Sequence, residues 1–316
     1  MFFVHEMKER LLKVLACPSC QSDLKLSVKE RAQGEIKEGI LVCVLCKEFF
    51  HIRHFIPRFI KDDSYAKNFS KEWGWYQEVV DKIREPKEQE SYFLRRTGFS
   101  KKEVKNKLLL DVGQGAGIGM DWFLKYGAEV VGMDISYAVD AAFKLHGLHP
   151  KAHIIQASVF KLPFKKAAFD YIYSVGVLHH TPNCKKAFFQ LPKLLKKKGK
   201  IAIWLYPWQG FYSRLSDFWR FFSTKLPSKF LFHVCKLGVE PLYRLRQLPI
   251  IGGIGKSIPI STHPNPYWRM LDTYDWYSPK YQSKHTNQEV VQWFKQANLK
   301  NIKVLSDPVS VQGTKN

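Results

Sequence analysis

The sequence predicts a doubly wound α/β domain on a mostly parallel sheet, preceded by a small cysteine-rich module. The apolar run Leu108-Leu-Leu-Asp-Val112 breaks into a turn with glycine at alternate positions, Gly113, Gly115 and Gly117. A second apolar run, Val130-Val-Gly-Met-Asp134, ends on an acid at the distance of about twenty residues that nucleotide-binding βαβ units use. Two Cys-x-x-Cys knuckles, Cys17 to Cys20 and Cys43 to Cys46, stand ahead of both runs.

The knuckles supply four soft thiolates, Cys17, Cys20, Cys43 and Cys46, a tetrahedral set suited to a structural Zn²⁺. Their separation is slightly longer than the usual ribbon spacing, which a β-hairpin with an extended tip from Lys29 to Glu38 absorbs. A disulfide pair is the alternative, disfavoured by the absence of a signal peptide at the start of the chain. His51 and His54 read as ordinary strand residues because four thiols already complete a shell. Cys184 and Cys235 are isolated and read as structural. The ribbon is expected over residues 1–60.

Residues 61–106 are expected to form a helical linker or lid. Phe69, Trp73, Trp75, Tyr76, Val79 and Val80 give the segment from Tyr65 to Ile83 an apolar helical face, with Trp73 or Tyr76 available to cover a site. Arg84 to Glu90 reads as an exposed loop. From residue 107 onward strand and helix alternate. Strands are expected near 107–112, 128–133, 152–156, 169–174 and 199–205, with helices near 117–126, 136–147 and 184–197. A last helix from Thr286 to Asn298 and two strands, 301–305 and 308–312, complete the edge.

The glycine loop distinguishes between nucleotides. A dinucleotide fingerprint needs G-x-G-x-x-G, and every register fails, because Ile118, Met120 or Trp122 occupies the final position. Asp111, just before the loop, would repel a pyrophosphate, whereas the amino and sulfonium cations of S-adenosylmethionine would be attracted. Asp134 is placed to accept both ribose hydroxyls. These features favour S-adenosylmethionine.

Here the chain resembles the class I S-adenosylmethionine-dependent methyltransferases, of the type 11-like group, from about Lys105 to Tyr206. The resemblance implies a Rossmann-like, mostly parallel seven-stranded sheet. It also implies cofactor contacts from Asp111, Gly113, Gln114, Gly115 and Gly117, and from Asp134, Ile135 and Ser136 at the second strand end. Ser158 stands where the family usually has an Asp holding the adenine, with Val159 beside it. Ser174 and Val175 lie in the run Phe169-Asp-Tyr-Ile-Tyr-Ser-Val-Gly-Val-Leu-His-His-Thr-Pro-Asn183, which resembles the strand and loop beside the methyl group. Within that loop His179 or His180 is a candidate general base, and Tyr206 a candidate for the acceptor pocket. Residues 7–60 resemble the zinc-ribbon activator subunits of methyltransferases, whose members act with enzymes modifying tRNA, ribosomal RNA or translation factors. The resemblance implies such a module fused in cis.

Residues 208–285 interrupt the family pattern before the last helix. An insert there would overhang the methyl donor and recognise the acceptor. Its aromatics, including Phe211, Phe218, Trp219, Phe221, Phe222 and Phe230, alternate with Arg214, Arg220, Lys225, Lys229 and Lys236. A basic amphipathic surface for a membrane, a stacking surface for bases and a hairpin packed on the core are rival readings.

The chain has 316 residues and is 45% hydrophobic, enough for one sizeable domain and a small module. No run is long enough to cross a bilayer, and the chain reads as cytoplasmic. Fifty Lys and Arg against 28 Asp and Glu give a net charge of +22. That suits RNA, an anionic membrane or acidic metabolites without choosing among them. The expected function is methyl transfer to a small-molecule or lipid-like acceptor, within residues 107–316. The alternatives are an RNA methyltransferase docking through its ribbon and basic surface, and a non-catalytic binding subunit that keeps the fold.

Overall fold

A computed structural model describes residues 7–32, 34–60, 86–248 and 257–316. The helix expected between Tyr65 and Ile83, with Trp73 and Tyr76, lies outside the described residues.

Helix α1 (Met7–Val14) leads into a four-stranded ribbon, β1 (Leu24–Ala32), β2 (Glu35–Cys43), β3 (Phe49–Arg53) and β4 (Ile56–Arg58). The extended hairpin tip expected from Lys29 to Glu38 is strand for most of its length, paired from Leu24–Cys43 to Ala32–Glu35 with register shifts around Glu30. His51 lies in β3, but His54 does not continue it. It sits at φ 51° in the turn to β4, and its N–H donates to Glu38 Oε1 at 3.0 Å.

Helix α2 (Pro86–Thr97) and the short α3 (Lys101–Val104) precede the alternating part. Pro86 opens α2, a position where its missing N–H costs nothing, so residues 86–90 are helical where a loop is expected from sequence. Next come β5 (Leu108–Val112), α4 (Ile118–Lys125), β6 (Glu129–Asp134), α5 (Ala138–His146), β7 (Ala152–Gln156) and β8 (Phe169–Val175). The helix expected over 184–197 is only α6 (Cys184–Phe188) and a single 3₁₀ turn at Pro192–Leu194. Strand β9 (Leu195–Trp204) begins early, because Pro192 cannot continue a helix and Lys198, at φ 63°, forms an irregularity inside the strand.

The insert contributes α7 (Phe211–Ser223), α8 (Ser228–Leu245) and α9 (Pro266–Tyr277), the last capped by the Asn265 side chain with Pro266 at the first helical position. Helix α10 (Asn287–Gln296) starts on a Thr286 cap, whose hydroxyl accepts from the Glu289 N–H. Strands β10 (Leu299–Val304) and β11 (Ser310–Lys315) close the chain.

The strand order is β1-β2-β3-β4-β7-β6-β5-β8-β9-β11-β10. Seven of these, β7 to β10 in that order, make the expected sheet, parallel from β7 to β9 and closed by antiparallel β11 and β10. Among the described residues the whole sheet has eleven strands rather than seven. Strand β4 pairs in parallel with the edge of β7 at Arg58–Gln156, and the Phe59 N–H donates to the Gln156 carbonyl at 2.7 Å. The ribbon thus covers an edge that would otherwise present unpaired peptide groups. A second seam binds it. Ala16 N–H donates to the Pro163 carbonyl at 3.0 Å and Lys165 N–H to that of Val14 at 2.9 Å. Leu11, Leu15, Leu41 and Phe50 share one apolar core with Leu162, Phe164 and Phe169.

Candidate active site

Order reverses at β5, whose neighbours β6 and β8 carry the chain in opposite directions. The crevice at the carboxyl ends of these strands is where open α/β sheets bind ligands. Gly113, Gly115 and Gly117 have φ of 82°, 52° and 85°, a left-handed backbone that few side chains tolerate. A Cβ on Gly113 would lie 2.3 Å from Val177 Cγ1. The Gly115 N–H points at Asp134 Oδ2, 3.0 Å away. Asp134 Oδ1 accepts from the Ser136 N–H at 2.8 Å and hydroxyl at 2.7 Å. The carboxylate is therefore held in one orientation at the end of β6, with Oδ2 the less committed of its two oxygens.

Asp111 is buried in β5 and accepts from the Tyr173 hydroxyl at 2.8 Å. Burial pushes its carboxyl up to about 7; the Tyr173 bond opposes the rise and the Asp134 charge adds to it. A cation arriving here would restore the carboxylate. Gln114 lies over Gly132, buried, with neither side-chain atom hydrogen-bonded among the described residues. Such a buried amide in a glycine loop fits a site built to receive a polar ligand. The donor set, two carboxylates with a glycine cradle, matches the cationic amino acid and ribose of S-adenosylmethionine.

The remaining candidates are arranged differently. Ser174 is fully buried and donates to the Val112 carbonyl at 2.8 Å, tying β8 to β5. Ser158 Oγ accepts from the Phe160 N–H at 3.3 Å within a local turn, with Val159 half-buried beside it. The carbonyl of Ile135 accepts from Gln156 Nε2 at 3.1 Å. Val175 is half-buried against the sheet core.

His179, His180 and Tyr206 come together at the ends of β8 and β9. His179 is fully buried and stacks on Tyr206 at 3.8 Å. Its Nδ1 accepts the Tyr206 N–H at 3.3 Å, which places its proton on Nε2. Burial, then the charges of His180, His285 and Arg220, hold its pKa well below the usual range. The ring is neutral and its one lone pair is spent on the backbone. His180 differs. Its Nδ1 lies 3.2 Å from the Tyr281 carbonyl, which only an N–H can satisfy, and its Nε2 faces Asp275 Oδ2 at 3.8 Å. The Tyr206 hydroxyl donates to the same oxygen at 2.6 Å.

Asp275 escapes the sequence reading. It belongs to α9, in Leu271-Asp-Thr-Tyr-Asp-Trp-Tyr277, where Asp272 and Asp275 fall on one helix face. That i, i+3 pair of acids in an aromatic helix is the signal that could have found it. Burial raises the Asp275 carboxyl, but the His180 and Tyr206 contacts and Arg220 outweigh it and leave the pKa lowered. Asp272 accepts from Ser261 Oγ at 3.0 Å, and burial pushes it up to about 6. On the other side, Arg96 of α2 stacks its guanidinium 3.5 Å from the Tyr92 ring centre and 4.4 Å from that of Trp204, while pairing with Asp307 at 2.9 Å. Tyr92, Trp204, Tyr206, His180 and Asp275 thus form one linked group, with Tyr92 6.1 Å from Trp204 and Trp204 5.6 Å from Tyr206 between ring centres. Ile118, the first residue of α4, packs into the apolar cluster of α8 and α9. The insert therefore packs against the start of α4, the residue that follows the glycine loop.

In the ribbon, the four Sγ atoms lie within 4.8 Å of one another. Cys17 and Cys46 are 3.6 Å apart, and Cys20 and Cys43 3.4 Å. A tetrahedral Zn–thiolate site sets S···S near ~3.8 Å, so the four thiols fit such an ion and leave no open position on it.

Residues 110–203 match the methyltransferase domain family, and residues 8–54 the Trm112p-like protein family. The chain is 34% identical over 148 residues to a ubiquinone biosynthesis O-methyltransferase of Nitrosococcus oceani, covering 45% of this chain and 53% of that protein. It is 34% identical over 105 residues to a tRNA U34 carboxymethyltransferase of Proteus mirabilis, covering 32% of each. The chain thus spans about half of the first relative and a third of the second. Among solved structures, a complex of the Haloferax volcanii Trm112 methyltransferase activator with a methyltransferase aligns at TM-score 0.46 and 11% identity, over 81% of this chain and 98% of that one. The polypeptide joins a Trm112p-like domain to a methyltransferase domain.

Proposed function

We propose that the protein transfers a methyl group from S-adenosylmethionine to a small-molecule or lipid-like acceptor held between the strand ends and the insert. The observation that carries this reading is the convergence of Tyr206, His180 and Asp275 beside the glycine loop. Asp134 would hold the ribose, Asp111 and the loop amides the amino-acid end, and Gln114 would lie against the bound ligand. The sulfonium supplies a methyl carbon already activated for displacement, so the protein's work is positioning and exclusion of water. Asp275 orients Tyr206 and also faces His180 Nε2, so the three side chains act as one positioned group. His179, its lone pair committed, supports the wall. The ribbon would hold one structural Zn²⁺ on Cys17, Cys20, Cys43 and Cys46, consistent with thiols kept reduced in a cytoplasmic setting.

One observation favours RNA as a second reading. A groove of about 1110 Å³ runs between the ribbon and the main sheet, lined by Lys47, Phe49, His51, Arg53, Arg58 and Tyr137 together with the acids Glu48 and Asp140. Basic and aromatic side chains of this kind suit a nucleic-acid strand, and one relative acts on tRNA U34. Radiolabelled S-adenosylmethionine incubated with the protein and a cell extract separates the readings. Label in an organic or small-molecule fraction supports the first. Label in RNA, lost on nuclease treatment, replaces it with the second.

A further inference from the structure

Helix α7 is inside out. Its buried positions are Ser213, Ser216, Arg220 and Ser223, whereas Phe211, Phe218, Phe221 and Phe222 face outward, Phe211 at 77% exposure and Phe221 at 61%. The polar inner face has a structural cause. Arg220 donates to the Trp276 and Pro279 carbonyls, both at 2.6 Å, and Ser223 Oγ to the Tyr277 carbonyl at 2.9 Å. These are the orphan carbonyls around the end of α9, which α7 therefore caps from the side. With one stripe committed to that task, the phenylalanines are left on the other.

Helix α8, next in the chain, also carries exposed apolar side chains. Leu231, Cys235 and Val239 pack inward, while Phe230, Val234 and Leu237 are exposed, Leu237 at 72%. Leu226 bridges the two helices at the tip and is also exposed. Exposed apolar side chains gathered on a helix of a folded protein mark an interaction site. The charge around it is one-sided. Arg214, Lys229 and Lys236 on the two helices and Lys225 in the link between them are exposed, with Lys225 Nζ 3.6 Å from the Phe221 ring centre. The acids are already engaged, Asp217 with Lys284 and Glu240 with Arg244 and Arg269.

We propose that the α7–α8 hairpin is a membrane-docking surface that seats the protein on a bilayer containing anionic lipid. Phenylalanine and leucine side chains enter the headgroup–acyl boundary while the flanking ammonium and guanidinium groups meet lipid phosphates. These bases, which form no ion pair among the described residues, select this occupant over a second copy of the chain, which would bring like charge against like. No described helix is long and apolar enough to cross a membrane, so the contact is peripheral. The inference stands on the hairpin alone and does not depend on the acceptor.

Co-sedimentation of the full chain with phosphatidylcholine vesicles, with and without phosphatidylglycerol, tests it. Binding should require phosphatidylglycerol and weaken with salt. Lys225→Gln with Lys229→Gln should lower partitioning roughly twenty-five-fold, at about fivefold for each base. Phe218→Ser with Phe221→Ser should lower it by on the order of tenfold or more. Both pairs are exposed, so helical circular dichroism should stay unchanged in each variant. Absence of vesicle binding overturns the proposal, as does equal binding to neutral vesicles that the lysine variant leaves untouched. Self-association relieved by the phenylalanine variant, without vesicle binding, would assign the face to a second copy instead.

Discussion

The Tyr206 hydroxyl donates to Asp275 Oδ2 across 2.6 Å, joining the end of the fifth parallel strand to a helix of the insert. One partner belongs to the shared methyltransferase framework and the other to the part that interrupts it. The bond positions the cleft wall, whereas the cofactor end is built entirely from β5, β6 and the glycine loop. Tyr206→Phe and Asp275→Asn should therefore lower label transfer from S-adenosylmethionine on the order of a hundredfold, the cost of a misplaced reacting group. Affinity for the cofactor by calorimetric titration should be unchanged in both. A parallel loss of cofactor binding would place Tyr206 in the wrong half of the site.

Asp111 makes the cofactor-free protein and the cofactor respond oppositely to pH. Burial raises its carboxyl from 3.8 to about 7 in the folded state. Its contribution to stability is then fully present below the unfolded value and is lost as pH rises through about 7. The loss amounts to on the order of 4 kcal/mol. A cationic ligand prefers the ionised form, so affinity for S-adenosylmethionine should increase up to about tenfold between pH 6 and 8. Asp111→Asn should flatten both curves. Titration calorimetry and thermal melts across that range would detect either slope.

Gly115 sits at φ 52°, with its N–H on Asp134. Gly115→Val forces a β-branched residue into a left-handed backbone, costing about 1–3 kcal/mol locally, and turns the N–H away from the carboxylate. Cofactor binding should be abolished while far-ultraviolet circular dichroism is retained. Unaltered affinity would contradict the role assigned to the loop.

The ribbon should carry about one zinc per chain, released in Cys43→Ser with Cys46→Ser. Because ribbon and main sheet share one core, the released form should also lose thermal stability across the methyltransferase part rather than in the ribbon alone. Metal analysis with a melting curve reads both, and a zinc-free unmodified protein would refute the assignment.

Arg58 is the polar hinge pin of that junction. Its guanidinium reaches Gln156 at 2.8 Å and Asp140 at 2.6 Å. Arg58→Ala leaves the Phe59–Gln156 backbone bond in place and should cost about 1–3 kcal/mol, read as a lower melting temperature with earlier proteolysis between ribbon and sheet.

Local chemistry made much of this legible in advance. The glycine loop, Asp134 and the four cysteines declare themselves because each carries its geometry in its residue type and spacing. Strands β5 to β8 are apolar runs of the length that buried parallel strands require. The insert's contribution was not legible in the same way. Asp275 becomes a partner of Tyr206 only when chain separated by 69 positions folds back. The difference between His179 and His180 depends on which backbone group each ring meets. The eleven-stranded sheet likewise follows from β4 finding the β7 edge, a long-range pairing that alternation within either segment does not encode. The serine-and-arginine inner face of α7 follows from the carbonyls at the end of α9 rather than from helical periodicity.

The most direct test of the account is calorimetric titration of S-adenosylmethionine into the unmodified protein and into Asp134→Ala. The account expects saturable one-to-one binding, lost in the variant while its melting curve stays cooperative. Absence of binding to the unmodified protein, or equal binding to both, would contradict it.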